Sequence, residues 1–423
     1  MHSLVVPRLL VGRLPFFYGW IVLACICLAG FARQGPAVAV LSVFVVPMTD
    51  AFGWSRSEIA GAVSLGGLLA AFLSPLLGPV VDRRGARLVL CLAVLATGLS
   101  TMALSLTDSL LLFYLLFCFA RMNWASPFDL GLYSALNNWF VERRALATSI
   151  ATLAQMSGLV ALPIIAQVAM RDGGWRSGWT AIGWTVLLVG FLPVWLLMVR
   201  RPEDLGLYPD HARPSASARE EPQFDRATAM RTRAFWLLSL YTVLVFPVQA
   251  GVSLHQAAHL IERGISPLAA ATAIAVFSAM SAAASFGVGL LPRPWPVRYS
   301  LLGAAIVLSV GTFGLIGVRS IFSAYLAAGL FGVGIGAILT LLPIAWADYF
   351  GRRSYGAIRG VALSLQVVSQ AVGPLLSGGL RDWTGTYTAS LAVFGSLSTI
   401  AVVVALAARA PRSSLAAVKR AGA

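Results

Sequence analysis

With 423 residues, 58% of them hydrophobic and only 11% charged, the chain is too apolar for a water-soluble domain, and stretches long enough to cross a bilayer recur along it. The net charge of +15 would point to nucleic acid in a soluble protein. Here the basic residues fall between the apolar stretches, where they set membrane orientation, and no nucleic-acid partner is read.

Arg8 and Arg13 precede a first apolar run that has no small-residue cleavage site before Tyr18-Gly19-Trp20, so the run is expected to stay as an anchor. Length and flanking charge give twelve spans, at roughly 17–47, 56–80, 86–106, 109–138, 145–170, 178–199, 234–261, 267–291, 299–318, 320–349, 358–380 and 387–408. Lys and Arg concentrate in alternate loops in the sense that puts both termini in the cytoplasm. Cys25, Cys27, Cys91 and Cys118 all lie inside apolar spans without metal-ligand spacing, and read as small core residues.

One long polar segment interrupts the series. It opens Arg200-Arg201-Pro202-Glu203-Asp204-Leu205-Gly206-Leu207-Tyr208-Pro209 and then becomes rich in Arg, Pro, Ala and Ser. The expected organisation is a six-helix lobe over 1–199, a cytoplasmic linker over 200–233 lying on anionic lipid, and a second six-helix lobe over 234–423 with a short cytoplasmic tail.

The halves repeat. Gly53-Trp54-Ser55 is echoed roughly 211 residues later by Gly264-Ile265-Ser266, and Gly78 through Arg87 by the degenerate stretch 289–298. Trp139-Phe140, ahead of Glu142-Arg143-Arg144, is likewise echoed by Tyr349-Phe350 ahead of Arg352-Arg353.

These landmarks carry a resemblance. Gly78-Pro79-Val80-Val81-Asp82-Arg83-Arg84-Gly85-Ala86-Arg87 resembles the Gly-x-x-x-Asp-Arg-x-Gly-x-Arg loop that joins the second and third spans in the major facilitator superfamily. Tyr18-Gly19-Trp20, Phe52 through Ile59, Trp139 through Ala147 and Tyr349 through Arg353 resemble its monocarboxylate-transporter-like and oxalate/formate-antiporter-like branch. The resemblance covers nearly the whole chain. It implies an all-α membrane protein of twelve transmembrane helices in two pseudo-symmetric six-helix lobes, which rock to expose a midplane cavity to each side in turn.

Arg33 and Arg121 each sit about halfway along an apolar span, where an unpaired charge costs several kcal/mol. A guanidinium at that depth binds anions bidentately, and by the superfamily's packing the first and fourth helices both face the cavity. Both arginines are therefore candidate substrate contacts, although Arg121 has a structural alternative in pairing with a neighbouring carboxylate, Asp129, or with backbone carbonyls. Asp129 is the carboxylate well inside a span, separated from Arg121 by Pro127, and is the candidate proton carrier. Asp82, with Arg83 and Arg87, is the candidate conformational latch, its alternative being a loop whose basic residues merely fix topology.

In the second half His255, Gln256 and Gln370 are candidate cavity-lining contacts; His255 and His259 lack a third metal ligand, so no metal is read. The chain departs from its relatives in having no charge in the eighth span and no central cation in the eleventh, where Arg359 and Arg381 stand at the two ends. Gly329, Gly332, Gly334 and Gly336 fall inside a span and read as helix packing, not a phosphate loop.

No catalytic constellation is found, so an enzyme is not read, and no cofactor is implied. The expectation is a secondary transporter in a bacterial inner membrane moving a small organic anion, a carboxylate foremost, coupled to protons or by exchange. A monomer is sufficient for it. Efflux of drugs or of a secreted metabolite is the alternative, disfavoured because a cation exporter would bury a carboxylate in place of two arginines.

Overall fold

The computed structural model describes residues 5–211, 222–291 and 295–411. The middle of the linker, the centre of the 289–298 loop and the C-terminal tail, for which the sequence led to expectations, lie outside these. The regular structure among the described residues is helical throughout.

A short helix α1 (Val5–Val11) comes first. The first predicted span is two helices, α2 (Gly19–Ala32) and α3 (Val38–Phe52), separated where Gly35-Pro36 denies the helix a donor. It was expected as one piece. α4 (Arg56–Arg84) and α5 (Ala86–Ala103) follow as predicted. The fourth span is also divided, into α6 (Leu110–Ala125) and α7 (Pro127–Trp139), because Pro127 cannot continue α6 and Ser126 leaves the helical region at φ −123°.

α8 (Arg144–Thr185) turns at Gly174, whose φ of 65° suits glycine alone, so spans five and six meet almost without a loop. A π-helical stretch, Val186–Phe191, leads to α9 (Leu192–Leu197). The sixth span thus begins at Gly173, earlier than the 178 expected. Then come α10 (Arg226–Met230), α11 (Arg233–Glu262), α12 (Pro267–Leu290), α13 (Val297–Ile316), α14 (Ile321–Phe350), α15 (Tyr355–Thr384) and α16 (Thr388–Ala407). Eleven of the helical segments are long and apolar enough to cross a membrane, and α2 with α3 in series adds a further span.

The repeated Gly-x-Ser landmarks are now explained. Gly53 closes α3 at φ 69° while the Ser55 hydroxyl caps α4, completing a capping box with Glu58. Gly264, at φ 84°, follows the end of α11, and the Ser266 hydroxyl caps α12 by accepting the Ala269 N–H, without a capping box. The chain falls into two packed units, Met1–Glu220 with Tyr355–Ser364, and Glu221–Ser354 with Leu365–Ala423. In the first, α2 and α5 pack on α8, and α4 on α6. In the second, α14 packs between α12 and α13, so closely that a Cβ at Gly332 or Gly336 would strike the α12 backbone.

Candidate functional site

Both helix breaks in the first unit leave backbone carbonyls without an intrahelical donor, and in an apolar setting each must be met. The arginines meet them reciprocally. Arg33, the C-cap of α2, donates its Nε–H to the Trp124 carbonyl at the end of α6, at 2.8 Å. Arg121, near the end of α6, donates to the Pro36 carbonyl inside the first break, at 3.4 Å. Helix C-termini favour cations, which adds to both contacts.

Trp124 contacts both. The Arg121 guanidinium carbon is 3.9 Å from its ring centroid and that of Arg33 is 4.7 Å away, and the indole N–H donates to Gln34 Oε1 at 3.0 Å. The two guanidiniums are not equivalent, however. Arg33 has all three nitrogens engaged: Nε on Trp124, Nη1 on Gln155 Oε1 at 2.8 Å, and Nη2 facing Asp129 Oδ2 at 3.8 Å. Among the described residues Arg121 has no ion-pair partner, and its buried Nε has no hydrogen-bond acceptor.

Asp129 stands in the first turn of α7, where an N-terminal dipole favours a carboxylate. It does not pair with Arg121. Its second oxygen lies 3.5 Å from Arg359 Nη2, so one buried carboxylate is shared between arginines of α2 and α15. Arg359, expected at a helix end without a role, is 2% exposed.

Asp82 accepts the backbone N–H groups of Gly356 at 2.8 Å and Ala357 at 2.7 Å, in the first turn of α15. The predicted arginine partners are elsewhere: Arg87 donates to the Trp195 carbonyl at 2.6 Å, and the Arg83 side chain is exposed. The motif glycine Gly78 has a physical reason, since any Cβ there would collide with the Gly356 carbonyl.

In the second unit, Gln370 donates to Gln249 at 2.9 Å. His259 uses its Nε2 on the Leu315 carbonyl at 2.9 Å, while His255 stacks on Tyr387 with ring centroids 5.2 Å apart. The two histidines meet on Tyr387, which His259 approaches edge-on with ring centroids 6.4 Å apart, and both border the same small cavity. Gln256 is 2% exposed with neither amide atom hydrogen-bonded. It borders a cavity of about 10 Å³ together with His255, Ser377, Tyr387 and Ser390, room for one water. The sequence-predicted residues therefore form two groups, Arg33, Arg121 and Asp129 in one unit, and His255 and Gln256 in the other.

Trp124, Gln34, Gln155 and Arg359 escaped the sequence reading. A signal existed for two of them. Trp124 follows Arg121 by one helical turn, and Gln155 ends a polar stripe with Thr148 and Thr152 on one face of α8.

Broken helices whose ends face buried charges in a polytopic helical protein define a class of solute carrier. The model of the Major Facilitator Superfamily matches residues 20–374, and the chain belongs to that family. It is 27% identical to human monocarboxylate transporter 11 over 90% of this chain and 80% of that protein. It is also 24% identical to the membrane sensor protein UhpC of Escherichia coli, over 85% and 86% respectively. Among solved structures it resembles the human organic anion transporter MFSD10, with a TM-score of 0.70 at 16% identity, covering 91% of this chain and 99% of that one. The proton:xylose symporter XylE matches with a TM-score of 0.72 at 13% identity, over 91% and 94%, and both likenesses show the fold alone. The chain is a multi-pass membrane transporter of small solutes and not an enzyme.

Proposed function

We propose that the protein transports a small organic anion, a carboxylate, by alternating access across a bacterial cytoplasmic membrane, with both termini inside and protons as the coupling ion. Arg121 carries this reading. A buried guanidinium with no ion pair and an unused Nε–H among the described residues is an incomplete site, and a bidentate carboxylate completes it. The relatives named as monocarboxylate transporters and the fold neighbour named as an organic anion transporter point the same way.

The roles then divide. Arg121, flat on Trp124, takes the substrate carboxylate. Arg33 holds the two broken helices together and keeps Asp129 within reach. Protonation of Asp129 removes the charge that Arg33 and Arg359 share and so weakens its hold on the first turns of α15, which carry Arg359. Asp82 holds the same turns through two amides and acts as the latch. His255, Gln256 and Gln370 belong to a neutral polar surface for the remainder of the solute.

The test is proton flux. In proteoliposomes with an internal pH dye, addition of mono- and dicarboxylates is expected to drive proton entry, and Asp129→Asn is expected to abolish it while leaving isotope exchange between the two sides intact. Accumulation against a gradient by Asp129→Asn would remove Asp129 from the coupling role.

A further inference from the structure

Asp210 lies in the linker, and its carboxylate reaches back to the junction of α7 and α8. Oδ2 accepts the backbone N–H groups of Val141 and Glu142, both at 2.7 Å, and Oδ1 accepts that of Arg143 at 3.3 Å. Arg143 is the N-cap of α8 and has no side-chain cap of its own. Three backbone donors ahead of a helix are thus met by one anionic group, a stronger arrangement than neutral capping. Asp210 holds this position at φ 53°, the one non-glycine residue with positive φ among those described. Such a conformation is strained for most side chains and persists where contacts over-determine it.

The arrangement has a counterpart in the same unit. Asp82 grips the start of α15 through two amides, and by the internal repeat α15 corresponds to α8. Asp82 comes from the loop after the second span. The corresponding loop of the second repeat, 289–298, contains no Asp or Glu, so the repeat supplies no acid for α8. The linker supplies one. It also touches the Asp82 loop directly, because Arg200 Nη2 donates to the carbonyls of Asp82 at 3.4 Å and Arg83 at 3.0 Å, at the end of α4. One stretch of linker therefore binds the backbone of one acidic clamp and carries the other.

We propose that Asp210 is a second conformational latch, borne by the linker, which holds the amino end of α8 in the state in which Asp82 holds α15 and releases when Asp82 does. The linker is then a working part of the transport cycle, not a passive tether. The proposal rests on the reading of Asp82 as a latch.

Amide hydrogen exchange of the full-length protein in nanodiscs tests it, read in peptides covering 141–143 and 356–357. Asp210→Gly removes the carboxylate while suiting the positive φ, so a change reports the carboxylate and not the backbone. Exchange at 141–143 is expected to rise by about tenfold or more, the effect of losing a charged acceptor, with 356–357 unchanged. Asp82→Asn is expected to speed 356–357 and, with Asp210 intact, 141–143 as well. The proposal is overturned if Asp210→Gly leaves 141–143 slow, since the carboxylate then holds nothing. It is equally overturned if Asp82→Asn speeds 356–357 alone, since Asp210 is then a fixed staple. If Asp82→Asn leaves 356–357 slow, the Asp82 reading fails by itself and the release of the two clamps together fails with it.

Discussion

Pro36 in α2–α3 and Pro247 in α11 occupy the same position of the internal repeat, yet the first span is broken and the seventh is continuous. A proline alone removes one donor and costs about 3 kcal/mol in a helix interior, which bends a helix but need not end it. What differs is the company. The first repeat reads Arg33-Gln34-Gly35-Pro36, where the second reads Leu244-Val245-Phe246-Pro247. Gly35 lowers the cost of leaving the helix, and the carbonyl freed at Pro36 finds Arg121. In the second repeat the stretch that corresponds to Arg121 through Asp129, about 331–340, contains no charged residue, so no charge is there to meet an opened backbone. Breaks survive in apolar surroundings where buried charges satisfy them, and the first unit alone provides the charges.

Exchanging the residues at this position should give the largest effect. Arg33→Leu strands Gln155 Oε1, the Trp124 carbonyl and Asp129 together, and a loss of about 3–5 kcal/mol is expected, the range for breaking a buried ion pair by removing one partner. Leu244→Met keeps volume and should cost below about 1.5 kcal/mol. Thermal unfolding of the two variants measures the contrast, and equal losses would mean that Arg33 does no more than fill space.

Two buried glutamines give the next contrast. Gln155 accepts from Arg33, so Gln155→Met should cost about 1.5–3 kcal/mol, whereas Gln256 has no protein partner and Gln256→Met should be neutral or stabilising by about 1 kcal/mol. A marked loss in Gln256→Met would place an ordered water in the adjoining cavity. The smallest effect belongs to Trp124→Phe, which keeps a ring beneath the guanidiniums but loses the bond to Gln34; affinity for the anion should fall by about 1 kcal/mol in a binding titration, and no change would make the indole N–H irrelevant.

The spans were legible because apolar length and flanking charge are one-dimensional properties. The breaks were less so. Gly35-Pro36 and Ser126-Pro127 stand in plain view, but whether a proline bends or breaks a helix depends on donors from another helix, which Arg121 and Arg33 supply across the sequence. Arg33, Arg121 and Asp129 announced themselves as charges at depth, yet their pairing did not follow from spacing. Asp129 lies eight residues from Arg121 and faces Arg33 and Arg359 instead. Arg359 looked like an ordinary end-of-helix cation, since nothing in its own span reveals that the first turns of α15 meet Asp82 and Asp129. Asp82 was recognisable by motif, whereas its acceptors' partners are backbone amides that no side-chain pattern could disclose.

The central claim is that the spare donors of Arg121 are the anion site. Thermal stabilisation of the purified protein by a panel of mono- and dicarboxylates, aromatic acids and cationic amphiphiles, in wild type and Arg121→Gln, tests it most directly. Stabilisation by one carboxylate class that vanishes in Arg121→Gln, measured relative to each protein's own unliganded melting temperature because the variant also loses the Pro36 contact, is the predicted result. Stabilisation by cations, or by carboxylates to the same extent in both proteins, would contradict it.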